Sequence, residues 1–223
     1  MNNFRLKWIA IITMMIDHVA AVLLPQTSPA WIIMRIIGRL AFPIFVFLLV
    51  EGFHNTKNVN KYLIRLGIFA LVSEVPFDLA FYDTVIEFTH QNVFFTLFLG
   101  LACIYLMNLV EKKYGKNVFM TNVLNGVITL VFCILAYFLR TDYNYAGILL
   151  ISAFYLFRGN KILQTFTLFF VSAFILGYIN VFATLAIIPI ALYNGEKGKS
   201  MKYFFYIFYP AHILILAGIN LLF

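Results

Sequence analysis

An aspartate and a histidine, Asp17 and His18, stand side by side inside an otherwise apolar stretch, KWIAIITMMIDH at Lys7 to His18. Ionisable side chains at the depth of a membrane cost several kcal/mol unless they are paired or line a wet cavity, so by default they mark function. A histidine in such a place is suited to general base chemistry, because its ordinary pKa lies close to neutrality. Eleven residues of α-helix make about three turns and rise about 16 Å. Lys7 and His18 therefore share a face, the lysine at the rim where it snorkels into water and the histidine near the middle.

Further polar side chains fall at matching depth. Arg35 and Arg39 are four apart and so on one face of the next apolar segment, and Arg39 sits about as deep as Asp17, which predicts an ion pair between them. SEVPFD carries Glu74 and Asp78 around Pro76, which removes a helix hydrogen bond and predicts a kink or an end there. Asn92 and Thr96 open a segment in QNVFFT, Arg140 and Asp142 stand in LRTDY, and YPAH puts His212 near the middle of the last segment. One polar layer, between the midplane and one surface, thus draws on five or six segments. The bland readings are helix-to-helix hydrogen bonds for the histidines, a counter-ion for Arg39 and helix caps for Glu74 and Asp78; convergence on one layer favours chemistry. Glu51, Gly52 and His54 in EGFHNT read as a helix end.

The elements that must position these groups are membrane helices. Of 223 residues, 63% are hydrophobic and 11% charged, outside the soluble globular range. At about 20 apolar residues per span, the chain has room for eight or nine, in a single all-α transmembrane domain over 1–223. The spans are expected near 7–24, 31–50, 61–81, 92–110, 118–139, 143–157, 162–177, 179–194 and 203–222. Phe4 to Leu24 reads as a retained first span, because no small-residue cleavage site follows it. The 26 Phe and 13 Tyr read as lipid-facing and interfacial-belt residues. Cys103 and Cys133 lack CxxC spacing, and no metal is expected. The sequence has no glycine-rich phosphate loop, metal-ligand pair at helical spacing or serine elbow, which disfavours hydrolytic and metal mechanisms, and no internal repeat, which disfavours transport.

A net charge of +7 is spread over short loops rather than gathered on one face, so nucleic acid is not the expected partner. Topology accounts for it. Arg5 and Lys7, then Lys57, Lys61 and Arg65, then Lys112, Lys113 and Lys116, then Arg158 and Lys161, then Lys197, Lys199 and Lys202 stand at alternate span ends, 13 of the 16 basic residues on one side. The opposite loops, PQTSPAW, YDTVIEFTHQ, RTDY and GYIN, hold only Arg140. The positive-inside rule then puts the amino terminus in the cytoplasm and, after nine spans, the carboxyl terminus outside.

ITMMIDHVAAVL, IIGRLAFPIFVFLLVEGF, KYLIRLGIFALVSEVPFDLAF, QNVFFTLFLGL, LRTDY and FYPAHILIL, in this order, resemble the TraX family of membrane proteins nearly end to end. TraX of conjugative plasmids is associated with acetylating the amino terminus of the pilin subunit. A more distant similarity is to the transmembrane acyltransferases, among them the sugar O-acetyltransferases of bacterial envelopes and the lysosomal heparan glucosaminide N-acetyltransferase. Their bacterial members show an arginine, ten residues and a histidine in the first span. Lys7, ten residues and His18 keep that spacing, with a lysine that lacks the bidentate fork of arginine.

The resemblance implies a multi-pass enzyme of the bacterial inner membrane that moves an acetyl group from cytoplasmic acetyl-CoA to an amine or hydroxyl, on a pilin-like peptide amino terminus or an envelope glycan. Lys7, Lys57, Lys61 and Arg65 would hold the CoA phosphates, and the pantetheine arm would run up a tunnel beside the first span. His18 would act as base, directly or through an acetyl-His18 intermediate. Adjacent helical residues point about 100° apart, so Asp17 is expected to pair with Arg39 while Glu74, Asp78 or His212 meets the imidazole. Arg39, Asn92 or Thr96 is expected to stabilise the oxyanion, and Glu74, Asp78, Asn92, Thr96, Arg140, Asp142 and His212 to line the acceptor side. The alternatives are a small proton-coupled transporter, an envelope or conjugation assembly factor, or an acyltransferase with a longer-chain or lipid-linked donor. Single cysteines at Asn55, Lys113 and Lys197 should label only from the cytoplasm and one at Ser28 only from outside; labelling of Asn55 and Ser28 from the same side would refute this topology.

Overall fold

The computed structural model describes residues 1–199 and 201–222; the side chain of Lys202, one of the basic residues counted above, lies outside that description. Among the described residues the chain is all helix, with a single parallel bridge between Gln91 and Thr141 and no strand. In order come α1 (Asn3–Leu23), α2 (Pro29–Gly38), α3 (Ala41–Asn55), α4 (Val59–Tyr82), α5 (Val93–Tyr114), α6 (Val118–Phe138), α7 (Asn144–Leu156), α8 (Lys161–Phe174), a 3-10 helix (Tyr178–Ala186), α9 (Ile187–Ala191) and α10 (Lys202–Asn220). Among the described residues, five stretches are long and apolar enough to cross a membrane: α1, Pro29–Asn55 taken across its break, α5, α6 and Tyr203–Asn220. By length α4 also qualifies, but it carries Lys61, Arg65, Glu74 and Asp78.

Local sequence sets the helix starts. Asn2, Asn58, Asn92, Asn117 and Asn160 each cap a helix, with the side-chain oxygen accepting from a backbone N–H of the first turn. Each cap stabilises its helix by about 1 kcal/mol. The expected second span is broken, because Arg39 and Leu40 close α2 with tightened bonds to Ile36 and Ile37 carbonyls. Pro43 explains the place: it cannot donate to the Arg39 carbonyl four residues back, and it is tolerated in the first turn of a new helix. Pro76, by contrast, does not end α4, which continues to Tyr82. The expected eighth span is a 3-10 helix that passes into α9.

Helices α3, α5 and α7 supply much of the core, with Ile44, Leu101, Ile104, Met107, Ile148 and Phe154 among the fully buried side chains. At the periphery α6 leaves Phe119, Val127, Leu130 and Phe138 exposed, the apolar outer face that a membrane span presents to lipid. The basic end of the bundle is pinned by polar contacts. Arg158 Nε donates to Glu51 Oε1 at 2.7 Å, and the Tyr155 hydroxyl donates to Glu111 Oε2 at 2.7 Å. Met1 also reaches across, its amino group donating to the Leu192 carbonyl at 2.5 Å.

At the opposite end α1 and α2 touch at Gly38. A methyl added there would fall 2.1 Å from Asp17 Oδ1, so only glycine admits the approach. Gly38→Ala should destabilise the protein by about 1–3 kcal/mol through overpacking, read by thermal unfolding in detergent. Gly126→Ala is the control: nothing lies within 4 Å of its added methyl, and the better helix former should leave stability unchanged or raise it by up to about 1 kcal/mol.

Candidate active site

Asp17 is held by two guanidinium groups. Arg35 Nη1 donates to Asp17 Oδ2 and Arg39 Nη2 to Asp17 Oδ1, both at 2.6 Å. The expected pair with Arg39 is present, and Arg35, one turn earlier on the same face, joins it. Arg39 is further fixed by the Arg35 carbonyl at 3.1 Å and by Asn180 Oδ1 at 3.2 Å, which ties the 3-10 helix to the break between α2 and α3. Arg35 also lies over the Trp31 ring at 5.5 Å.

His18, the next residue, turns away from this network and meets α10. His18 Nδ1 and His212 Nε2 are 2.7 Å apart, and His212 Nδ1 lies 2.7 Å from the Phe208 carbonyl oxygen. The hydrogen-bond pattern assigns the tautomers. A carbonyl only accepts, so His212 Nδ1 carries a proton and its Nε2 is an acceptor; His18 Nδ1 is then the donor. The lone pair of His18 is left on Nε2, where a base needs it. The edges of Phe81 and Tyr209 flank the His18 ring, with centroids 5.7 and 5.9 Å away.

From the basic end a cavity of about 570 Å³ enters between α1, α3, α4, α5, α10, the loop from α3 to α4 and the loop before α10. Its mouth carries Lys7, Lys57, Arg65, Lys197 and Lys199. Its walls turn apolar inward, through Leu48, Leu66 and Leu97 to Met14, Phe94 and Tyr209. Met14 is one helical turn before His18, and Tyr209 stands edge-on to both histidine rings. The cavity thus runs from five basic residues to the side chains that cover the histidine pair.

Residues 3–220 match the family described as TraX protein. The chain belongs to the TraX family. It is 29% identical over 247 aligned positions to a probable fimbrial assembly protein, FimC of serogroup H1, from Dichelobacter nodosus, covering 97% of this chain and 95% of that one. It is also 31% identical over 102 positions to an uncharacterised protein of Rickettsia prowazekii, covering 45% of this chain and 35% of that one. No solved structure matches.

In this TraX-family chain the expected polar layer divides into separate groups. His212 is the imidazole partner; Glu74 and Asp78 are not. Glu74 accepts from the Asn92 side chain, and Asp78, 1% exposed, accepts the Glu87 N–H at 2.9 Å. Asn92 also caps α5 and donates to the Ala70 carbonyl at 2.8 Å, so its capacity is taken up in joining α4 to α5. Thr96 accepts the Tyr143 N–H at 3.4 Å. Arg140 is exposed in the left-handed region, φ 52, and its carbonyl accepts the Gln91 N–H. Asp142 pairs with His90 at 3.3 Å; that hydrogen bond holds the His90 imidazole above its ordinary range despite partial burial. Lys7, Lys57 and Arg65 line the cavity mouth, whereas Lys61 is exposed outside it.

Sequence reasoning missed Asn180, Tyr209, Lys197 and Lys199 as parts of these sites, and it read Glu51 as a helix end. Glu51 is 8% exposed, lines the cavity and is fixed by Arg158. Its place at the end of an apolar run was the available signal. Asp17→Asn should cost about 3–5 kcal/mol, because it leaves two guanidinium groups unpaired in apolar surroundings. Adding Arg39→Gln should recover stability only in part, and adding Arg35→Gln as well should recover most of it, in thermal unfolding of the purified variants. Full recovery in the double variant would show that Arg35 does not depend on Asp17.

Proposed function

We propose that this chain is a membrane-embedded acetyltransferase that uses acetyl-CoA from the basic side, with His18 as general base. The observation that carries the reading is the cavity itself, basic at its mouth, apolar inside and ending at Met14 and Tyr209 beside the paired histidines. Nine spans, with α2 and α3 as one and the 3-10 helix and α9 as another, put the basic end in the cytoplasm of a bacterial inner membrane. The phosphates of CoA then sit among Lys7, Lys57, Arg65, Lys197 and Lys199, and the pantetheine arm follows the apolar wall. The thioester arrives at Met14 and Tyr209.

As the acceptor nitrogen or oxygen attacks the thioester carbon, His18 Nε2 takes its proton, a contribution of about 10²- to 10⁴-fold. His212 acts as a positioning residue: it holds His18 Nδ1–H, so the lone pair faces the acceptor and the imidazolium is hydrogen-bonded once formed. The C–S bond then breaks, and the thiolate leaves with the proton returned from His18. The products are the acetylated acceptor and CoA thiol. The similarity to a probable fimbrial assembly protein favours a peptide amino terminus as acceptor over an envelope glycan. It equally favours a second reading, an assembly factor without catalysis, in which the histidine pair only joins α1 to α10.

Transfer assays separate the two. His18→Ala should insert normally and lower turnover roughly 10²-fold or more, with little change in KM for acetyl-CoA. Lys57→Gln, Arg65→Gln and Lys197→Gln together should raise that KM roughly tenfold with kcat little changed, and added salt should do the same to the native protein. Near-native transfer by His18→Ala would leave the histidine pair a structural contact.

A further inference from the structure

The oxyanion that forms on the thioester carbonyl needs a donor, and the residues expected for it are engaged elsewhere. Arg39 is bound to Asp17 and Asn180, Asn92 to Glu74 and Ala70, and Thr96 to the Tyr143 N–H, and none of the three lines the cavity. Tyr209 does line it. The residue is 3% exposed, and its ring stands edge-on to His18 and His212 at centroid distances of 5.9 and 5.8 Å. Val93, in the first turn of α5, lines the same cavity.

A phenol hydroxyl carries one proton that it can donate, in a cavity whose inner lining is otherwise largely apolar. Tyr209 and His212 are three residues apart on α10 and share a face, so one helix presents both the partner of the base and this donor. We propose that the Tyr209 hydroxyl is the oxyanion donor of the acetyl transfer. This rests on the acetyltransferase reading above. On attack the carbonyl π pair moves onto oxygen, that oxygen accepts from the Tyr209 O–H, and the pair returns as the C–S bond breaks. Tyr209 neither loses nor gains a proton over the cycle.

The test uses the purified full chain in lipid nanodiscs and acetyl-CoA carrying ¹³C at the carbonyl, with equilibrium binding, infrared difference spectra and turnover as readouts. Native protein and His18→Ala should both bind the probe and move its carbonyl stretch to lower wavenumber. Tyr209→Phe should bind within about tenfold of native affinity, lose that shift and turn over roughly 10²- to 10³-fold more slowly. Tyr209→fluorotyrosine, of nearly the same shape but a stronger donor, should move the band further than the native residue does. A bound carbonyl band unshifted in the native protein, or shifted equally in Tyr209→Phe, overturns the assignment. Absence of acetyl-CoA binding to the native protein overturns the donor reading first, and the role of Tyr209 with it.

Discussion

The structure at the far end of the bundle depends on one carboxylate. Asp17 accepts from Arg35 and Arg39 at 2.6 Å each, in surroundings where either guanidinium without its partner would cost several kcal/mol. That demand draws α1 against α2 so closely that Gly38 is the only residue type that fits. It also holds Arg39 at the break before α3 and, through Asn180, brings in the 3-10 helix. His18 follows Asp17 in the chain, and successive helical side chains diverge by about 100°. Once Asp17 is committed to α2, His18 is turned toward α10 and finds His212.

The cavity lies on the other side of that pairing. Its fixed wall is α3 with α5, held at the basic end by Glu51–Arg158 and by the Glu111, Tyr155 and Asn108 hydrogen bonds. Its other walls, α1, α4 and α10, carry most of the aromatic lining, and α1 and α10 also carry the two histidines outside that lining. Charge at the mouth and apolar surface within match the polarity of the proposed donor, an anionic head and an uncharged arm. The histidine pair sits behind that inner surface, away from the charges.

Much of this was legible in the sequence, and what was legible was local. Composition and apolar runs give the helices, and equal depth with a four-residue spacing gives the Asp17–Arg39 pair. Depth alone, however, placed Glu74, Asp78, Asn92 and Thr96 in one layer with His18. Their hydrogen bonds go to partners other than His18, Glu74 with Asn92, Asp78 with Glu87 and Thr96 with Tyr143, because depth says nothing of the angle around a helix axis. Glu74 and Asn92 instead join α4 to α5, each satisfying a polar group that a lipid-buried interface cannot leave bare. The partner of His18 was narrowed to three residues and no further, since residues 18 and 212 meet only through packing of α1 on α10. The break in the second span had a signal in Pro43, which an apolar run of that length concealed. The cavity was least legible: its lining comes from five helices and two loops, and no single stretch carries its pattern. Membership of the TraX family follows from motifs spread along the whole chain.

The central claim is that the cavity and the histidine pair serve acetyl transfer. The most direct measurement is incubation of purified protein with acetyl-CoA radiolabelled in the acetyl group and an envelope extract, followed by separation of protein, peptide and glycan fractions. The account predicts label on an acceptor with native protein and none above background with His18→Ala, while both proteins retain the labelled donor on gel filtration. Equal labelling by the two proteins, or no retention of the donor by the native one, would contradict it.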